Sequence, residues 1–174
     1  KKNIKYYQID FNTKQPINSE NWKAYKQLRE VLKQKYDIIH CHTPIVGMIV
    51  RTAAKKYRRK GTKVIYTTHG FTFTDRSTKK EWFVYHSVEN VMSKLSDVII
   101  TINHEDYNNA KKMHCKNVFL IPGVGLKTER FEKIKIDRDE YRKKLGVSQK
   151  DKLVLAVGEL SERKNQKIII KALS

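Results

Sequence analysis

Cysteine is scarce in this chain, with Cys41 and Cys115 the two among 174 residues. Two distant thiols make no disulfide framework and no CxxC or zinc-type spacing, which points to a reducing compartment and so to the cytoplasm. Glycine and proline are also few, 7 and 3, beside 39% apolar and 10% aromatic residues. Collagen-like, low-complexity and disordered classes are therefore excluded. Long apolar runs are missing: stretches such as 44–50 and 152–157 fall far short of the roughly 20 residues that span a bilayer. The opening KKNIKYY lacks the apolar segment of a signal peptide. Acidic side chains are the last shortage, 18 Asp and Glu against 37 Lys and Arg, for a net charge of +19. Motifs are absent too: there is no GxSxG, GxGxxG or GxxxxGKS, which weakens hydrolase and P-loop kinase assignments.

What is present is a repeating unit: a short run rich in Val, Ile and Tyr, an amphipathic stretch, then a polar break. Strands are predicted at 4–9, 36–41, 63–68, 97–102, 117–121 and 152–157. Helices are predicted near 20–35, 44–60, 79–95, 104–114, 138–145 and 163–174. Such alternation predicts an α/β fold with a mostly parallel, Rossmann-like sheet and helices on both faces. Thr43-Pro44 reads as an N-cap followed by proline at the first helical position, and Asn103 as the cap before His104-Glu105-Asp106. Gly61 and Gly146 stand where helices stop. Residues 123–150 hold a glycine turn and a charged stretch of weak periodicity. The expected division is a first domain over 1–132, a linker over 133–150 and one βα unit over 151–174, which either joins the first sheet or opens a second domain. The start at Lys1 and the uncapped stop at Ser174 suggest a piece of a longer protein.

In an open parallel sheet, ligands bind beyond the carboxyl ends of the strands, where loops and helix N-termini converge. Polar and glycine-bearing residues recur at that edge: His42-Thr43, His69-Gly70-Phe71, Asn103, Gly123 and Gly125, and Gly158. His40-Cys41-His42 is not expected to hold a metal, because alternate strand residues point to opposite faces. His40 suits a core histidine satisfied by a neighbour. His69 ends a strand and precedes a glycine, so its imidazole is placed either to meet a sugar hydroxyl or a developing charge, or to be held in a turn. Phe71 and Phe73 suit either a sugar face or the pinning of a loop. Gly158 and the cations Arg163 and Lys164 before a helix suit a diphosphate or an ordinary solvated connection.

The segments DIIHCHTP (37–44), VIYTTHGF (64–71), DVIITINHEDYNNAKK (97–112), IPGVGLKTERF (121–131) and VGELSERKNQ (157–166), in this order, resemble the family 4 retaining glycosyltransferases of the GT-B fold. The likeness is strongest to bacterial enzymes of capsule and exopolysaccharide assembly. It implies an acceptor-side Rossmann-like domain lacking its opening strand, then the start of the domain that binds the nucleotide-sugar. The resemblance places the paired-glutamate donor motif beyond Ser174, so the 174-residue piece is expected to be inactive or nearly so. His69 matches the family histidine beside the donor sugar, and Lys164 the lysine on the donor diphosphate, with Gly158 next to it. His42, Thr43, Gly70, Phe71, Asn103, Gly123 and Gly125 become substrate-binding candidates. Glu159 stands where many members have arginine, Gly123-Val124-Gly125 replaces Asn-Gly-Val, and Lys127 replaces an aspartate. The resemblance implies transfer of a sugar, with retention of anomeric configuration, from a nucleotide-sugar to a saccharide on a lipid carrier, with no metal or other cofactor.

Charge suggests further partners. Residues 1–60 hold 15 Lys and Arg against 4 Asp and Glu, a net +11, densest in KKYRRK at 55–60. Such a surface attracts anionic membranes and nucleic acid alike. With no zinc-finger spacing or RNP-like strand, nucleic acid is the weaker expectation. A peripheral place on the inner face of the cell membrane, held by Lys55, Lys56, Arg58, Arg59 and Lys60, is the stronger one.

Overall fold

The computed structural model describes residues 4–13, 15, 17–123, 125–162 and 164–173. Two compact units emerge, Lys1–Gly125 and Leu126–Ser174.

The first unit is α/β, built on four parallel strands, β1 (Ile38–His42), β2 (Lys63–Thr67), β3 (Val98–Thr101) and β4 (Val118–Leu120), which lie side by side in chain order. Helices α1 (Ser19–Leu32), α2 (Pro44–Arg58), α3 (Lys79–Ser93) and α4 (His104–Ala110) precede or join them. The start and stop signals act as the sequence suggests, except that Thr43 makes no side-chain capping bond at the head of α2. Pro44 opens α2, Asn103 Oδ1 accepts the Asp106 N–H at 2.8 Å, and Gly61 turns the chain at φ 106°. A capping box unforeseen in the sequence starts α3: Thr78 Oγ1 accepts from the Glu81 N–H, and Glu81 accepts from the Thr78 N–H.

Strands added in one direction through right-handed crossovers place their helices on one face. The buried set Ile39, Cys41, Val64, Tyr66, Ile99 and Val118 falls in matching register pairs on that face. The opposite face carries Ile38, His40, His42 and Phe119, all exposed among the described residues. Cover on both faces, as expected from the sequence, requires strands added in the reverse direction as well.

Beneath the sheet, α2 lies so close to β2 that a Cβ at Gly47 would stand 2.7 Å from the Tyr66 ring. One turn on, the fully buried Arg51 stacks over Tyr66 at 4.1 Å and pairs with Glu89 of α3 at 2.9 Å. Burial pushes the Glu89 carboxyl above its ordinary range, although the Arg51 guanidinium opposes the shift. Removing either partner would strand the other charge in the core, so the pair ties α2 to α3.

Two expected strands do not form. Residues 4–9 are irregular; Ile9 and Phe11 pack against the core, and Asn12 N–H reaches Asn21 Oδ1 at 2.9 Å. Residues 152–157 lack a ladder among the described residues, with Leu155 81% and Val157 89% exposed. A parallel strand needs a neighbour for its N–H and C=O groups and cover for its side chains, and neither run has both.

The second unit contains α5 (Glu129–Glu132), α6 (Arg138–Lys144) and α7 (Lys167–Leu173). The stretch expected as a linker is folded locally: Asp137 caps α6, and the buried Arg142 donates to the Ser148 and Asp151 carbonyls. Gly146 closes α6 at φ 66°. No helix among the described residues is long and apolar enough to cross a membrane.

Candidate active site

Parallel register brings the carboxyl ends of β1 and β2 together, with His42 opposite Thr67. Two residues past Thr67 comes His69, and its Nε2 lies 3.0 Å from His42 Nδ1. On the same face of β1, His40 sits 4.4 Å from the His42 ring and bonds Thr67 Oγ1 through Nε2 at 2.8 Å. His40 thus has the neighbour the sequence anticipated, but it lies exposed on the open face of β1 and not in the expected core, because the buried face of the strand is that of Ile39 and Cys41. Cys41 points to the other face, and burial pushes its thiol up to about 11, so it is a packed side chain and no nucleophile. Although His42 is exposed, desolvation of its ring by the surrounding protein, helped by His40 and His69, lowers its pKa and favours the neutral ring.

The backbone here is unusual. Thr43 holds the N-cap position of α2 at φ 63° and ψ 147°, yet its side chain makes no capping bond. A β-branched residue in that region costs on the order of 1–3 kcal/mol, and such strain collects at ligand sites. Proline at 44 excludes the αR conformation at Thr43 and keeps its ψ extended. Gly70 follows His69 at φ 128°, with open space where a Cβ would be. That angle favours glycine, so Gly70 sets the turn that brings His69 over β1.

Phe71 is differently placed. Its ring is 5% exposed and stacks on Phe73 at 4.9 Å, and Phe73 meets Trp82 and His86 of α3 edge-on. The aromatics therefore pin the loop, and the sugar-face alternative finds the Phe71 ring inside the core. Asn103 is likewise engaged: its Nδ2 donates to Asp106 Oδ2 at 2.8 Å while its Oδ1 caps α4. Gly123 turns at φ 81° just past β4, Gly125 has open space around it, and Val124 lies outside the described residues.

Asp106 stood in the sequence only as part of the first turn after the Asn103 cap. Its carboxylate accepts the Phe71 N–H, 3.3 Å from each oxygen, and so holds the loop that follows His69. Glu105 Oε1 takes the Asp75 N–H of the same loop at 2.8 Å. Burial raises the Asp106 pKa, and the bonds from Asn103 and Phe71 counter that rise. The sequence signal was two adjacent carboxylates in the first turn of α4, too common to single out.

In the second unit, the Lys164 stem passes Gly158, its Cγ 3.7 Å from where a Gly158 Cβ would be. Gln166 Nε2 closes the turn on the Glu159 carbonyl at 2.8 Å. The two diphosphate candidates are thus neighbours; Arg163 lies outside the described residues.

Residues 3–124, most of the chain, match the family model described as Glycosyltransferase Family 4. The chain belongs to that family. This family 4 chain is 41% identical over 161 residues to EpsD of Bacillus subtilis (strain 168), itself named as a candidate glycosyltransferase; the match covers 90% of the chain and 42% of EpsD. An Escherichia coli protein named UDP-Gal:alpha-D-GlcNAc-diphosphoundecaprenol alpha-1,3-galactosyltransferase is 31% identical over 148 residues, covering 81% of the chain and 36% of that protein. An uncharacterized protein from the cps region of Klebsiella pneumoniae is 38% identical over 78 residues, 44% of the chain and 22% of that protein. The chain therefore spans about two-fifths or less of the length of the relatives it matches.

Proposed function

We propose that the complete protein transfers a sugar from a nucleotide-sugar to a saccharide on a lipid carrier during assembly of a cell-surface polysaccharide, with retention of anomeric configuration. Family membership supports sugar transfer. The Escherichia coli relative, named for a UDP-sugar and a diphosphoundecaprenol-linked acceptor, supports the donor and acceptor classes. The observation that carries the reading is His69, held at the carboxyl end of β2 by Gly70 and by its hydrogen bond to His42.

In this reading residues 1–132 form the acceptor-side domain, 133–150 the connection and 151–174 the beginning of the donor domain. His69 hydrogen-bonds the donor sugar as charge develops, while His42, Thr43, Gly70, Asn103, Gly123 and Gly125 shape the cleft and the Phe71 backbone steadies it. Lys164 and the Gly158 turn contact the diphosphate. Cations and oriented N–H groups stabilise the leaving diphosphate electrostatically, so no metal or cofactor is invoked. The basic first unit keeps the protein on the anionic inner face of the membrane, where a lipid-linked acceptor is held.

A screen of nucleotide-sugars against the complete protein should detect donor binding or slow hydrolysis, and the 174-residue chain should show no transfer. Failure to bind any nucleotide would sink the proposal. His69→Ala should lower turnover about 100-fold or more with little change in unfolding midpoint, since a transition-state contact acts on rate. Wild-type turnover in the folded variant would remove His69 from the chemistry.

A further inference from the structure

Two imidazoles 3.0 Å apart, His42 Nδ1 to His69 Nε2, share one proton. A neutral imidazole carries a single N–H, so a hydrogen bond on one nitrogen decides what the other presents. There are two arrangements. If His69 donates through Nε2, its Nδ1 is a lone pair. If His42 donates through Nδ1, His69 keeps its own proton on Nδ1 and presents a donor. The rings lie 5.3 Å between centroids and 28° between planes. His40 makes no hydrogen bond to either; its Nε2 is engaged by Thr67. Among the described residues, no other hydrogen bond engages His69, so Nδ1 is the ring atom left for a ligand.

The chemistry chooses between the arrangements. As the donor's bond between the sugar and its diphosphate breaks, the bridging oxygen leaves with the electron pair and gains negative charge, which a hydrogen-bond donor stabilises and a lone pair repels. We propose that His42 is a positioning residue, donating its Nδ1 proton to His69 Nε2 and so presenting His69 Nδ1–H to the oxygen that bridges the donor sugar and its diphosphate. The proposal rests on the role given to His69 above. It assigns His42 a part distinct from substrate contact: the residue acts through its neighbour. Thr43 fits the same picture, because its strained backbone fixes the end of β1 immediately beside His42.

The test is made on the complete protein with histidine labelled by ¹⁵N, whose shifts report the protonated ring nitrogen directly. Wild-type His69 should be protonated on Nδ1. In His42→Leu it should revert toward the Nε2–H form, and kcat should fall about tenfold with the donor KM unchanged. His42→Asn, whose amide N–H reaches the Nδ1 position, should restore both the tautomer and most of kcat. It also serves as the working variant if the leucine form does not fold. Wild-type His69 protonated on Nε2, a tautomer unmoved by His42→Leu, or full kcat in that folded variant would each overturn the proposal. If His69→Ala retained full turnover while the tautomers behaved as expected, the catalytic reading of His69 would fail and the control of its tautomer by His42 would stand.

Discussion

Asp106, in the first turn of α4, accepts the backbone N–H of Phe71 with its carboxylate, 3.3 Å from both oxygens. This single side chain joins the helix after β3 to the loop after β2, two residues beyond His69. Its removal leaves the buried Phe71 N–H without an acceptor and also frees Asn103 Nδ2. Each buried donor left unmade costs on the order of 1–3 kcal/mol. Asp106→Ala should therefore destabilise the first unit measurably and open the 69–77 loop to proteolysis. Asp106→Asn should rescue only part, because one amide oxygen cannot serve both donors and the new NH2 faces one of them. Calorimetry with limited proteolysis checks this, and an unaltered cleavage rate in Asp106→Ala would reject the anchoring role.

Gly47 makes a second, sharper case. Alanine in a helix interior normally gains about 1 kcal/mol over glycine. Here the added Cβ would lie 2.7 Å from the ring of Tyr66, a side chain with 0% exposure that cannot step aside. Overpacking of this kind costs roughly 1–3 kcal/mol, so the clash should outweigh the propensity gain. Gly47→Ala is expected to lower the unfolding midpoint by several degrees, and a rise would show that α2 can shift off β2.

These two cases show what was legible beforehand. The alternation of Val- and Ile-rich runs with amphipathic segments marked all four ladder strands and placed α1 to α4 within a few residues, because period and caps are local signals. His69-Gly70 and Asn103 were visible as strand-end punctuation. Gly47, Arg51, Glu89 and Asp106 were not, since each matters through a contact across at least 19 residues of sequence. The runs at 4–9 and 152–157 have strand composition but lack a neighbour here, and local pattern carries no information about partners. His42 and His69 illustrate the same limit: each stood out singly, while their pairing depends on the register of β1 against β2.

The basic cluster yields a prediction that the sequence would have framed differently. Arg58 belongs to KKYRRK, yet its Nε pairs with Asp97 at 3.0 Å and its guanidinium also reaches the Lys94 carbonyl. Asp97 in turn holds the Val64 N–H at 2.8 Å. Lys56 and Lys60 instead line a hollow of about 790 Å³ with Lys33, Lys35 and Lys63, at the amino ends of β1 and β2. If the first unit docks on anionic vesicles, those five lysines should carry it, at about 1 kcal/mol each near the surface. Changing all five to Gln should release the protein from vesicles rich in phosphatidylglycerol. Arg58→Gln should lower stability and leave vesicle binding nearly intact. Release by Arg58→Gln alone, in a folded protein, would reverse that assignment.

The last prediction concerns pH. Desolvation by the surrounding protein lowers the pKa of His42, with His40 and His69 adding to the effect, and lowers that of His86, with Lys112 adding to it. His86 stacks on Trp82 at 4.4 Å, so its ring is held against an apolar neighbour. In the unfolded chain both rings titrate near 6.5. The unfolded state thus binds more protons as pH falls through that value, and ∂ΔG/∂pH of unfolding is positive. The stabilising contribution is fully present above about pH 6.5 and is lost as pH falls through the depressed folded values. Glu89, facing Arg51, and Asp106, facing Asn103 and Phe71, have raised values and act with the opposite sign. Their unfolded reference is near 4, whereas the histidines, with a reference near 6.5, act in the lower part of the window from pH 7.5 to 5.5. The unfolding midpoint should fall on acidification through that window. Combining His42→Asn with His86→Phe, which keeps an aromatic ring on Trp82, should flatten the dependence. A slope unchanged in the double variant would mean that other groups govern the acid sensitivity of this fold.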